Sequence, residues 1–460
     1  MKITETCMFD KDSIRVFRFI RHTFDWNTGK ITLVYAFDKG PEFVEVIIIP
    51  GAPFQKHPLR LEAIARTLRL VHLFAGVSYY KSAMPTHVSF EDNHAPMDQC
   101  TFDLVRAVYT KGLAECAFRN QVSLAHRFTN HSALSTPPSL AKQAQLSPHA
   151  LVAIGGGKDS LVTIETLKKL NIRQTLVWIG KAPLIAECAR CTKLPYLQIQ
   201  RILSPELLRI NQQHAWNGHV PVTAVHSSIL ALTALLHNMD QIVFSNEYSA
   251  SNGSQIDGID VNHQWSKGWE FEHAFGSYVE RYIATDLHYY SLLRPYTELA
   301  IAKQFARITH YDAVFSSCNR NFHQHGVTPS QRWCGRCPKC HFVFLALAVF
   351  IPKKRLLDIF SATNLLDNPE NAAGFDALLE YKQHKPFECV GEARESHAAF
   401  AYLMDDPRWS ADALVKRYKD FIHPSKDTEH DNLETVLRSN PIHRIPSQLW
   451  NQVDALFTAT

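Results

Sequence analysis

The chain has 460 residues, 46% of them hydrophobic and 20% charged, with 18 Gly and 23 Pro. That is ordinary globular composition, sufficient for roughly two to four domains, and it excludes a disordered, collagenous or low-complexity chain. Forty-eight basic residues against 44 acidic ones leave a net charge of +4, too weak a surplus for a nucleic-acid-binding surface but no bar to a local anion pocket.

Met1 to Cys7 lack the basic start and apolar core of a signal peptide. The longest apolar run, Phe342 to Ile351, covers ten residues, where a membrane span needs about 18. A cytoplasmic protein with no membrane or nucleic-acid partner is expected. Its ten Cys are too dilute for a disulfide scaffold.

Val16 to Ile20 leads into Phe24–Trp26, Asn27-Thr28-Gly29-Lys30 turns, and Ile31 to Phe37 returns. Asp38-Lys39-Gly40-Pro41 makes a second turn before Phe43 to Ile49, so the pattern predicts a three-stranded antiparallel meander. Apolar residues at three- and four-residue steps predict helices over 58–73 and 98–120. Residues 129–149 are rich in Ser, Thr and Pro and read as a linker. An N-terminal α+β domain over 1–145 is expected.

The rhythm then changes. Ala150 to Ile154 is a short apolar strand, followed by a Gly-rich turn and a helix over 160–170 with Leu161, Ile164 and Leu167 on one face. Strands are expected at 175–179, 196–202 and 241–244, with 312–316 closing the series and a long helix over 222–239. Buried strands alternating with helices imply an α/β doubly wound parallel sheet over 146–352. A helical C-terminal region follows over 353–460.

Gly155-Gly156-Gly157-Lys158-Asp159-Ser160 joins a strand to a helix. Glycines let the backbone approach a bulky anion, and the N–H groups opening the helix bind it with help from the dipole. Lys158 would add a cation, and Asp159 is placed for magnesium or a ribose hydroxyl. A Walker A loop needs Gly and Ser/Thr where Val152 and Asp159 stand, and the dinucleotide fingerprint needs Gly or Ala where Ser160 stands. The other reading is a tight βα turn with no ligand.

Cys318-x15-Cys334-x2-Cys337-x2-Cys340 supplies four thiolates. Four Cys fill a tetrahedral zinc site and leave no position for water, so a structural zinc is expected there. Cys188-x2-Cys191 offers only two ligands and reads as ordinary thiols, although one of them is still open to a proton-transfer role.

Ligands of open α/β sheets bind beyond the carboxyl ends of the strands. Asn217-Gly218-His219, Ser245-Asn246-Glu247-Tyr248-Ser249, then Asp257, Asp260, His263 and Lys267, and finally Cys318-Asn319-Arg320 all belong to such positions. Glu247 is a candidate magnesium ligand, His219 and His263 are candidate proton carriers, and Arg320 is a candidate carboxylate clamp. Each is equally readable as a hydrogen-bonded loop residue; their shared position is the argument. Trp265, Trp269, Phe271 and Phe275 read as core or pocket wall.

The glycine loop resembles the Ser-Gly-Gly-x-Asp-Ser motif of the PP-loop ATP pyrophosphatases, with Gly155 replacing the first Ser. Together with Asn217 to Ala224, Ser245 to Ser249, Cys334-Gly335-Arg336-Cys337-Pro338-Lys339-Cys340 and Phe387-Glu388-Cys389-Val390-Gly391, it is similar to the UDP-N-acetylmuramoyl-L-alanyl-L-glutamate epimerase family of bacterial peptidoglycan synthesis. The resemblance implies an adenine-nucleotide-hydrolase type of sheet, ATP and magnesium, and UDP-MurNAc-L-Ala-L-Glu as substrate. It implies AMP and pyrophosphate as products, and the ligase that adds L-Glu as pathway neighbour. Two other readings stay open: a different PP-loop adenylating enzyme, such as one like 7-cyano-7-deazaguanine synthase, and a non-catalytic nucleotide-binding module.

Overall fold

A computed structural model describes residues 9–91, 96–130, 134–256, 259–322, 331–382, 384–423 and 432–459, with the backbone alone for 254–256, 259–261 and 322. The opening turns fold the chain as their residues dictate. β1 (Val16–Asp25), β2 (Lys30–Phe37) and β3 (Glu42–Ile48) pair antiparallel in sequence order, and β4 (His87–Phe90) adds in parallel beside β1. Phe17, Phe19, Leu33, Tyr35, Phe43 and Ile47 fall on one buried face, as period-two alternation requires.

The parallel part comprises β5 (Ser147–Ala153), β6 (Gln174–Ile179), β7 (Tyr196–Ile202) and β8 (Met239–Phe244). After a small hairpin of β9 (Ser254–Ile256) and β10 (Ile259–Val261), β11 (His288–Ser291) completes it. The strand order is β11-β8-β5-β6-β7-β3-β2-β1-β4. β3 pairs antiparallel with β7, Val46 opposite Ile202 and Ile48 opposite Gln200. One mostly parallel sheet therefore runs through both the meander and the segment after residue 146.

Successive residues on the inner strands serve opposite cores. Leu151, Val177, Ile242 and Tyr289 pack with the helices Leu61–Ala75, Val222–Leu236 and Trp269–Tyr278. Val152, Leu176, Trp178, Val243 and Tyr290 pack with Lys158–Lys169, Glu298–Ala306, Pro338–Ala348 and the C-terminal helices. Both faces are covered, which explains why β5, β6 and β8 read as short apolar runs. From Lys353 onward the described elements are helical. Among the described residues no helix is long and apolar enough to cross a membrane.

Three expectations change, and one helix is new. Residues 312–316 form a turn, not the closing strand. Tyr311 O accepts from both Val314 N and Phe315 N, so their bonds are local, and the edge strand is β11. The helix expected over 222–239 stops at Leu236 because Asn238 takes a left-handed φ of 60°. The helix expected over 98–120 is two, Gln99–Thr110 and Ala114–Arg119, broken at Gly112. A further helix, Pro183–Thr192, fills the crossover from β6 to β7.

Candidate active site

From β5 the chain winds one way through β6 and β7, then returns to place β8 on the other side of β5. Such a reversal opens a crevice beyond the carboxyl ends of the two strands. The glycine loop leaves β5 at this point, and Ser245-Asn246-Glu247 leaves β8.

Gly156 sits at φ 78° and Gly157 is the N-cap of the helix Lys158–Lys169. A Cβ on Gly157 would lie 2.6 Å from Ser317 Oγ, whereas one on exposed Gly155 would meet nothing within 4 Å. Ser160 Oγ accepts from Gly155 N at 3.3 Å and donates to the Gly157 carbonyl at 3.0 Å. The first N–H groups of a helix have no intrahelical acceptor, so the loop offers donors beside open space. That is the donor set a phosphate chain requires.

Lys158 does not point at that space. It is buried, and its Nζ pairs with both Asp159 and Glu298. Burial alone would lower its pKa, but the two carboxylates outweigh it and raise the value. Glu298 is pushed up by its own burial and then by the charge of Asp159, with Lys158 pulling the other way. Lys158 therefore locks the loop to the helix Glu298–Ala306, and Asp159 keeps the more open position.

The four cysteines converge. Sγ separations are 3.7 Å for Cys334–Cys340, 4.0 Å for Cys337–Cys318 and 3.5 Å for Cys337–Cys340. A tetrahedron with zinc–sulfur bonds of about 2.3 Å has edges of about 3.8 Å, so the donor set fits a zinc ion. Hydrogen bonds from Cys337 and Cys340 hold the Cys318 thiol far below its usual range, and the Arg320 backbone adds to this. Arg320 itself lies in the short turn Asn319–Phe322, immediately after Cys318. Ser316 N donates to the Gly156 carbonyl at 3.1 Å, so this cluster sits directly behind the glycine loop.

Cys188 is buried under the same loop, with its Sγ 3.6 Å from Gly156 O and 3.3 Å from Val314 O. Burial pushes its thiol up to about 12, which suits an inert packing group. Arg332 is tied to Glu187 and to the Val314 carbonyl.

His219 and His263 meet, with ring centroids 4.2 Å apart. The segment before His219 is anchored by Asn217, whose Oδ1 accepts from Lys81 Nζ at 2.6 Å and whose carbonyl accepts from Asn120. His263 Nδ1 is paired with buried Glu115, which also accepts from Arg119 Nε at 2.6 Å. Burial and the neighbouring His263 hold His219 down to about 4. Burial would lower His263 too, but hydrogen bonds to Cys389 and Glu115 raise it to about 9. One ring is thus neutral and the other charged near pH 7.

Glu247 is buried and its Oε1 accepts from Ser249 Oγ at 3.3 Å. Fully buried Arg294 fixes the surrounding backbone. It donates to Glu272 Oε2 and to the carbonyls of Glu247 and Lys267. Lys267 interacts electrostatically with Cys389, Glu247 and Asp159, linking the glycine loop to the histidine pair. Trp265, Phe271 and Phe275 are buried core residues, as expected. Asp257 lies outside the described residues, and Asp260 is described only as part of β10. Sequence reasoning missed Glu115, Arg294 and Glu298 as members of this site and gave Cys389 no role.

Fold and site together define a mixed α/β protein with an anion-type glycine loop, a thiolate cluster and a set of paired ionisable groups at one switch point of the sheet. The model of the MurL N-terminal domain matches residues 8–292 and that of the MurL C-terminal domain residues 314–433. A UDP-N-acetyl-alpha-D-muramoyl-L-alanyl-L-glutamate epimerase of Xanthomonas oryzae pv. oryzae is 54% identical over 450 residues, 98% of this chain and 99% of the relative. Proteins of the same name from Salinispora tropica and a Micromonospora species are 40% and 37% identical, each over 88% of this chain and over 88% and 90% of their own lengths. The chain belongs to the MurL family.

Proposed function

We propose that this protein converts the terminal L-Glu of UDP-MurNAc-L-Ala-L-Glu to D-Glu in an ATP-dependent reaction through an acyl adenylate, in the making of peptidoglycan precursors. One observation carries the reading. Lys267 interacts with Asp159 of the glycine loop, with Glu247 and with Cys389, which is bonded to His263 of the His219–His263 pair, in a chain closely similar to relatives that bear this epimerase's name.

The chemistry explains the need for ATP. Removing a Cα proton beside a free carboxylate would place a carbanion next to an existing negative charge. Transfer of AMP to that carboxylate, with loss of pyrophosphate, removes the charge and lets the deprotonated form spread into the carbonyl as an enolate. A proton returned to the opposite face inverts the centre, and water releases AMP and the D-Glu product.

Within this reading the glycine loop is of PP-loop type. Gly155, Gly156, Gly157 and the N–H groups of Lys158, Asp159 and Ser160 cradle the phosphates. Asp159 and Glu247 would hold magnesium, which screens phosphate charge when bound. Cys318, Cys334, Cys337 and Cys340 would hold a structural zinc. Arg320 is assigned to a substrate carboxylate, and His219 and His263 to proton movement. The protein acts in the cytoplasm, on the product of the ligase that adds L-Glu.

The test is incubation with ATP, magnesium and UDP-MurNAc-L-Ala-L-Glu, following AMP and the chirality of glutamate after acid hydrolysis. AMP together with D-glutamate is expected. AMP with glutamate still L would instead mark an adenylating enzyme with another acceptor, and ATP binding without AMP a nucleotide-binding module.

A further inference from the structure

The segment 384–392 connects two helices of the C-terminal region and lies across the site. The Phe387 ring lies under the Arg119 guanidinium, 5.3 Å from its centroid, and Glu388 Oε1 accepts from Asn319 Nδ2 at 2.6 Å. Cys389 lies between these anchors and Gly391. Its Sγ accepts from Lys267 Nζ at 3.1 Å and is hydrogen-bonded to His263, with Lys339 adding further positive charge.

The setting differs in kind from that of Cys188. A thiol buried for packing avoids charge, and Cys188 rises to about 12 as burial dictates. Burial acts on Cys389 in the same direction, yet Lys267, Lys339 and His263 outweigh it and lower the thiol to about 6. Low-pKa cysteines held by cations are the reactive ones. Lys267 also faces Glu247 and Asp159, so this thiolate lies on the side of the molecule where the glycine loop would present an adenylated carboxyl.

We propose that Cys389 is a catalytic residue that moves the glutamyl Cα proton on one face of the substrate, an assignment that rests on the epimerase reading above. The Sγ lone pair takes the proton and forms the thiol. The C–H bonding pair enters the Cα–carbonyl bond, and the carbonyl π pair moves onto oxygen. A solvent-exchanged acid on the opposite face then re-forms the C–H bond as the enolate pair returns, and the thiol gives its proton to solvent, with the charged His263 stabilising the thiolate that re-forms. In the reverse direction the Cys389 thiol is the donor. No oxidant or reductant is required.

The experiment compares wild type with Cys389→Ser and Cys389→Ala in deuterium oxide, with ATP, magnesium and the L-Glu dipeptide substrate. Pyrophosphate exchange into ATP reports adenylation, and D-glutamate reports inversion. In both variants exchange should persist while D-glutamate formation falls at least about 100-fold, the low end for loss of a general acid–base group. Inversion within about tenfold of wild type would overturn the proposal. Absence of pyrophosphate exchange in wild type would overturn the adenylation reading instead.

Iodoacetamide labelling of Cys389 in native wild type, read by mass spectrometry, tests the assignment independently of variant folding. The groups facing the sulfur are Lys267, Lys339 and His263, with Glu115 behind His263 and Glu247 beside Lys267. Labelling should titrate near pH 6, and substrate with ATP should protect. A midpoint near 9, or no protection, would overturn it.

Discussion

Glu45 on β3 and Arg201 on β7 form an ion pair inside the sheet. Arg201 Nε donates to Glu45 Oε1 at 2.7 Å and Nη2 to Ser78 Oγ at 2.9 Å, and the Glu45 side chain has no solvent exposure. The two residues lie at the junction of the antiparallel and parallel strands. The pair therefore fixes the register at the point where β-strands of opposite sense meet.

Replacing Arg201 with Met leaves a buried carboxylate without its partner, which costs about 3–5 kcal/mol. The double replacement Glu45→Leu with Arg201→Met should recover most of that loss. Urea unfolding of the three proteins checks both statements.

Asp159 pairs with Lys158 but is the more exposed of that lysine's two carboxylate partners. Asp159→Asn should lower AMP release at least about 100-fold, the scale expected for losing a transition-state contact. The thermal midpoint should stay close to wild type. A loss under tenfold would remove the loop from ATP chemistry.

Cys337 lies within 4.0 Å of both Cys318 and Cys340. Cys337→Ser should abolish stoichiometric zinc and lower the thermal midpoint by several degrees, because a closed thiolate site contributes directly to folding. Metal analysis and calorimetry on the same preparation decide this, and unchanged values would exclude a zinc role.

His219 is held neutral down to about 4 by burial and by the charge on His263. Its unfolded value is near 6.5, so on acidification the unfolded chain takes up a proton that the native site refuses. Stability from this residue is full above about 6.5 and declines as pH falls toward 4. At pH 5 the loss is about 2 kcal/mol. His219→Asn should flatten the fall in unfolding free energy, read from urea titrations between pH 7 and 5, by about that amount.

Local features were legible from sequence. The meander announced itself through Asn27-Thr28-Gly29-Lys30 and Asp38-Lys39-Gly40-Pro41, and the glycine loop and cysteine cluster through spacing. β11 was not legible, because His288-Tyr289-Tyr290-Ser291 has neither an aliphatic run nor alternation: each Tyr feeds a different core. Residues 312–316 looked apolar enough for a strand, but Tyr311 and Phe315 are turn residues buried in the core. The histidine pair was expected only as two members of a shared edge. Glu115 and Cys389 join it from segments each more than a hundred residues from His263. No spacing rule sees such a contact, and a lone Cys in Phe387-Glu388-Cys389 carries no signal of the lysine beside it.

The continuous sheet has a mechanical consequence. Backbone hydrogen bonds between β3 and β7 cross what sequence composition suggests is a boundary, so there is no hinge there for one half to swing on the other. For the same reason a fragment cut near residue 145 would leave β7 with a bare rim of unpaired N–H and C=O groups, a template for self-association. The two halves share one sheet, and they must be expressed and handled as one.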